Sequence, residues 1–117
     1  MINAQVEETM LLLAEAYTVN NEAKNALDVY QEILDGGQGG SNTKDIYRKM
    51  APLYTQLESF DEAAECLKNV IKQEQSEILK VGLLTKIAGN YKKANNKGKC
   101  IEASTDAYDL MKTLSSE

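Results

Sequence analysis

The sequence predicts an all-α fold in which three antiparallel helix hairpins stack in a row. Two observations predict it. Apolar residues recur three times at a fixed offset of 37 residues, and such self-similarity marks a repeat architecture. Within each copy the apolar positions are three and four apart, the period of one helix face. Composition agrees: Val, Ile and Thr are scattered among Ala, Leu, Glu, Lys and Gln, all helix formers, with one Pro and no Trp.

Taken in order, the first helix is expected at about 4–19, with Met10, Leu13, Ala14 and Tyr17 on its apolar face. Asn20-Asn21 turns the chain into a second helix, about 22–35, striped by Ala23, Ala26, Leu27, Tyr30, Ile33 and Leu34. Gly36-Gly37-Gln38-Gly39-Gly40-Ser41-Asn42 reads as a flexible connection that ends in an N-cap candidate. Adding 37 then gives a third helix, about 43–57, with Tyr47, Met50, Ala51 and Tyr54. Glu58-Ser59 is its turn, and Ser59 with Glu62 is expected to form a capping box. The fourth helix, about 60–74, repeats the second stripe as Phe60, Ala63, Ala64, Leu67, Val70 and Ile71. Gln73 to Ser76 makes a tight junction with Ser76 as cap, and the fifth helix, about 77–93, carries Leu84, Ile87, Ala88 and Tyr91. After Asn95-Asn96-Lys97-Gly98 the sixth helix, about 98–113, is a degraded copy. It keeps Cys100, Ile101, Ala107 and Tyr108 but has Lys97 and Ser104 at repeat positions that are apolar in the other two copies. Each hairpin leaves an apolar face that only the next can cover, so the units are expected to form a short right-handed superhelix.

The 117 residues suit a single domain of three repeats, about 7–39, 44–76 and 77–113, able to bury a core without staples. The longest apolar run, Met10 to Ala14, is too short to cross a bilayer and follows acidic residues, which excludes a signal peptide there. Cys66 and Cys100 fall where an apolar residue is wanted and read as small core residues, consistent with a reducing intracellular or organelle interior. The net charge of −5 is graded along the chain. Residues 1–39 hold one basic residue against seven acidic ones, a net of −6, whereas residues 76–117 hold seven basic against five acidic, a net of +2. Such a balance argues against a nucleic-acid binder. No histidine, phosphate loop or metal triad occurs, and Gly36 to Gly40 follows a helix and lacks a Lys, so neither enzyme activity nor a cofactor is expected.

Leu13-Ala14 with Tyr17, Ala26 and Tyr30, then Met50-Ala51 with Tyr54, Ala63 and Leu67, resemble the signature of the tetratricopeptide repeat. Ile87-Ala88 with Tyr91 and Cys100 continue it more weakly. The repeat is three residues longer than that family's usual unit, and no Pro closes a second helix. The resemblance implies a protein–protein interaction scaffold that binds a peptide or helical segment of a partner in a concave groove lined by the first helix of each hairpin. Carried over residue by residue, it assigns to that groove Glu8, Leu11, Glu15, Thr18 and Val19, then Asp45, Arg48, Lys49, Pro52 and Thr55, then Gly82, Thr85, Lys86, Gly89 and Lys92. It also argues against a clamp for acidic chaperone tails. Leu11, Glu15, Lys49 and Gly82 replace the expected Lys and Asn residues, and Glu15 would repel the ligand.

Several features have two readings. Gly82 and Gly89, one heptad apart, are either tolerated weak spots and close helix contacts or places where a partner approaches. Pro52 reads as a tolerated kink or, alternatively, as a reshaping of the groove, and the cluster Lys92, Lys93, Lys97 and Lys99 as a solvated tip or, alternatively, as a dock for an acidic patch on a partner. Too few residues follow Leu114 to cap the last hairpin. The chain is therefore expected to be a piece of a longer protein; the alternative is a self-association module that forms a homodimer through Ile101, Tyr108, Leu110 and Met111.

Overall fold

The computed structural model describes residues 4–36 and 43–116. Six helices run through them in order: α1 (Ala4–Val19), α2 (Ala23–Asp35), α3 (Thr43–Gln56), α4 (Phe60–Lys72), α5 (Glu77–Lys93) and α6 (Lys97–Ser115). No strand occurs among the described residues, and every helix boundary falls within two residues of its expected place. No helix there is long and apolar enough to cross a membrane. Of the glycine-rich connection only Gly36 is described. Its N–H donates to the carbonyls of Glu32 and Ile33 and closes α2, while the Ser41-Asn42 cap lies outside the described residues.

The 37-residue repeat reappears in the backbone. Asn21, Glu58 and Asn95, spaced by that interval, are the non-glycine residues with positive φ among the described residues, at 62°, 61° and 61°. Each ends the first helix of a hairpin in the same way. The following N–H, of Glu22, Ser59 and Asn96, reaches back to the carbonyl of Tyr17, Tyr54 and Tyr91, at 2.8 Å in all three. The left-handed residue itself donates to the carbonyl of Thr18, Thr55 or Lys92. This is a Schellman closure, which satisfies carbonyls that a helix end otherwise leaves open.

The same closure corrects one expectation. Ser59 and Glu62 form no capping box, and the Ser59 side chain makes no capping hydrogen bond. A capping box needs the Ser59 N–H for the Glu62 carboxylate, and that N–H is already committed to Tyr54. Side-chain caps do occur at two later helices. Ser76 accepts from the N–H of Leu79 and Asn96 from that of Lys99, both at 3.3 Å.

Every substantial helix contact joins neighbours in the chain, α1 to α2 through to α5 with α6, and the contact of α2 with α3 is the thinnest. Stacking of this kind elongates the molecule. Its radius of gyration is 15.5 Å and its extents 46 × 30 × 21 Å, against a radius of about 13 Å for a compact domain of this length. The core is a seam of repeat positions: Ala14, Ala51 and Ala88, then Ala26, Leu27, Tyr30 and Ile33 with Ala63, Ala64, Leu67 and Val70. Tyr91 is buried, whereas Tyr17 and Tyr54 are half-buried. Cys66 is buried, Cys100 is partly so, and both are free thiols.

Position in the stack overrides the repeat at both ends. Met50 and Ile87 are 1% exposed, but Leu13, at the same position in α1, is 46% exposed. No described helix lies before α1 to cover it. In α6 the exposed stripe includes Ile101 and Tyr108 as well as Lys97 and Ser104, so of its repeat positions only Ala107 is buried and Cys100 partly so, with Ala103 buried between them.

Candidate functional site

The first helices of the second and third hairpins leave a cleft between them. On α3, Ala51 and Pro52 lie three and four residues after Arg48 and four and three before Thr55, which places all four on one face. On α5, Ile78, Leu79, Gly82, Leu83, Lys86, Gly89, Asn90 and Lys93 likewise recur three and four apart along one face. Leu67 of α4 contributes to the floor, and the cleft encloses about 740 Å³.

Polar contacts tie the two ends of the cleft. At one end Thr55 Oγ1 donates to Asn90 Oδ1 at 3.3 Å, joining α3 to α5. At the other, Glu74 lies buried in the turn between α4 and α5. Its Oε1 meets Lys44 Nζ at 2.9 Å and Arg48 at 3.7 Å, and its Oε2 accepts the N–H groups of Gln75 and Ser76 at 3.1 and 3.0 Å. The Lys44 ammonium, then the Ser76 N–H, hold the Glu74 carboxyl below the usual carboxylate range. Since Glu74 is consumed in this way, the charge the cleft offers to a ligand is that of Arg48, Lys86 and Lys93. It is a basic rim on an acidic chain.

The apolar part of the cleft is open. Ile78 is 74% exposed and Leu79 54%. Gly82 and Gly89 are exposed as well, and a Cβ added at either would meet nothing within 4 Å. Close helix packing therefore does not account for these glycines, which leaves either tolerated weak spots or room for a ligand.

Of the fifteen residues assigned to the groove by resemblance, Arg48, Pro52, Thr55, Gly82, Lys86 and Gly89 line this cleft together. The others do not join it. Leu11 packs against the core. Glu15 and Lys49 face each other at 3.7 Å as an ion pair between α1 and α3. Thr18 bonds back to the Ala14 carbonyl, Thr85 to that of Val81, and Glu8, Val19, Asp45 and Lys92 stand exposed elsewhere. Ile78, Leu79 and Glu74 were not anticipated. A signal for the first two was present: α5 has apolar residues around much of its circumference, Ile78, Leu79, Val81, Leu83, Leu84 and Ile87, more than one buried face requires. For Glu74 the sequence offers only an acid in a short junction.

All four lysines of the basic tip are exposed, and two of them also lie over aromatic rings. Lys93 lies over the Phe60 ring at 5.6 Å and Lys99 over Tyr91 at 5.5 Å. Lys68 approaches the Tyr91 ring too, at 5.1 Å, and the Tyr91 hydroxyl donates to Glu65 Oε2 at 2.6 Å. That hydrogen bond is the main reason the Glu65 carboxyl sits below its ordinary range. The tyrosine locks α4 to α5 and takes no part in the cleft.

Comparison with protein-family models and with curated proteins finds no match to this sequence.

Proposed function

We propose that this chain is a tetratricopeptide-like interaction scaffold, three hairpins in a short right-handed superhelix, that binds a segment of another protein between α3 and α5. The role is one of binding, not catalysis: the scaffold would hold a partner enzyme or a component of an assembling complex. One observation carries the reading. Exposed Ile78 and Leu79 share a cleft with two glycines that have open space above them, beneath a rim of Arg48, Lys86 and Lys93. Glycine inside an exposed helix costs about 1 kcal/mol relative to alanine, and here no internal packing offsets that cost. A helix or extended segment laid along the cleft would use the space. Apolar side chains on Ile78 and Leu79, with Asp or Glu toward the rim, complement what the cleft presents.

A displayed peptide library panned against the domain tests this. Enriched peptides should combine apolar residues with flanking acids, and should lose binding to an Arg48→Glu, Lys86→Glu variant whose helical circular dichroism is unchanged. Peptides that bind wild type and variant equally, or no enrichment at all, would remove the cleft from consideration.

A further inference from the structure

One wall of the cleft between α3 and α5 repeats at the period of a helix. Exposed Ile78 and Leu79 begin it, and Gly82, Lys86 and Gly89 continue the same face at spacings of four and three. An exposed ammonium therefore stands between two exposed glycines, and a Cβ at either glycine would meet nothing within 4 Å. The two open spaces are seven residues apart, about 10.5 Å along the helix axis. Across the cleft, the repeat register pairs Pro52 of α3 with Gly89 and sets Arg48 one residue short of Lys86.

The charge at this level has one sign. Arg48, Lys86 and Lys93 line the cleft against a single acid, Glu74, which Lys44 and the N–H groups of its own turn hold at one end. Lys93 also borders Glu58, Asp61 and Glu62 in a second, smaller pocket. Lys86 forms no ion pair among the described residues, so it is the cation that the middle of the cleft offers to an acid.

We propose, resting on the binding role above, that the occupant is an α-helix of another protein. It carries bulky apolar side chains seven residues apart with an Asp or Glu midway between them, all on one face. A helix rises at the same rate as α5, so its seventh residue returns to the same face after the same distance of about 10.5 Å. Two apolar side chains then fill the spaces above Gly82 and Gly89 while the carboxylate meets Lys86. Other backbones do not match. In an extended strand, residues three apart span about 10 Å but point to opposite faces. In a polyproline helix every third residue shares a face at about 9.3 Å, and none lies between them to meet Lys86. The pattern reads the same in both directions, so it holds for a partner helix parallel or antiparallel to α5.

Two synthetic peptides of about 20 residues, long enough to hold a helix, are the probes, titrated against the full chain by fluorescence anisotropy. One carries Leu seven residues apart with Glu midway. The other differs only by a Pro on the opposite face, which breaks the helix and leaves the three contact side chains in place. The first should bind at least about tenfold more tightly, since loss of the helix takes one Leu out of its space. Lys86→Glu should abolish its binding, and a peptide with Lys in place of the midway Glu should restore it; circular dichroism checks that the variant is folded. Equal binding of the two peptides overturns the helical occupant, and if both are then lost in the Arg48→Glu, Lys86→Glu variant the cleft still stands as the binding site. A helical peptide that binds without any exchange of charge preference at Lys86 overturns the midway acid. Failure of both peptides overturns the proposal alone where panning still enriches cleft-dependent peptides, and the binding role with it where panning enriches none.

Discussion

Lys44, in the first turn of α3, places its ammonium 2.9 Å from Glu74, a buried carboxylate in the turn that leads from α4 into α5. One side chain thereby fixes the start of α3 against a junction 30 residues further on, and fixes one end of the cleft as well. The contact differs from a surface pair, because Glu74 also accepts two backbone N–H groups of its own turn, and a charge left there without a partner is costly.

This arrangement predicts a pH dependence. Glu74 and Glu65 both have carboxyl groups held below the ordinary value of 4.5 in the folded chain. A depressed value means the unfolded state binds protons first, so the stability these groups add is complete above about the unfolded value and is lost as pH falls through the folded one. Glu74→Gln should unfold at lower urea than wild type at neutral pH, and the difference should shrink in acid. Two curves that stay parallel from neutral pH to the acid limit would show that the charge of Glu74 does not matter.

The three left-handed turn residues are not equivalent. Asn tolerates positive φ, and Asn21 and Asn95 use it; Glu58 adopts the same conformation without that tolerance. Glu58→Gly should stabilise the chain by about 0.5–1 kcal/mol, the relief of the left-handed strain less the added freedom of the unfolded chain. A rise of a few degrees in midpoint follows for a domain of this size. Asn21→Gly should change little. Equal effects at both sites in a thermal scan would refute the distinction.

Gly82 and Gly89 separate stability from binding. Each Gly→Ala change places a methyl group in open space and removes a poor helix former, for a gain of about 1 kcal/mol. In the same proteins the peptides selected against the cleft should bind more weakly, because the methyl groups occupy the ligand's room. Calorimetry that showed higher stability with undiminished peptide affinity would mean the glycines are only weak spots in the helix.

The two thiols should react in a fixed order. Burial, reinforced by Glu65 and Glu62, pushes the Cys66 thiol up to about 11, so at neutral pH almost no nucleophilic thiolate is present. Cys100 is only partly buried. With iodoacetamide on the native protein, Cys100 should be alkylated first, and Cys66 should follow only at the rate at which α4 opens. Faster labelling at Cys66, read by peptide mass spectrometry, would contradict this placement.

What the sequence determined by itself is local and periodic. Apolar residues three and four apart specify six helices, Asn21 and Asn95 mark two of the three hairpin turns, and the 37-residue offset aligns Ala14, Ala51 and Ala88 in one buried seam. All of this follows from backbone geometry over a few turns of helix, which a single stretch of chain carries within itself. The tertiary structure decided which copies of a repeated position are covered. Leu13 and Met50 are equivalent in the pattern, yet among the described residues only Met50 has a helix packed before it. Ile101 repeats Leu27 and Ala64 but is 67% exposed, with no further helix among the described residues to cover it. It also decided that Glu74 would meet Lys44 while Ser59 would not cap with Glu62, and that Arg48, Pro52 and Lys86 share a cleft with Ile78 while Glu15 and Lys49 pair elsewhere. Burial and ion pairing depend on what a neighbouring element brings into contact, and the period of one helix contains no information about that neighbour.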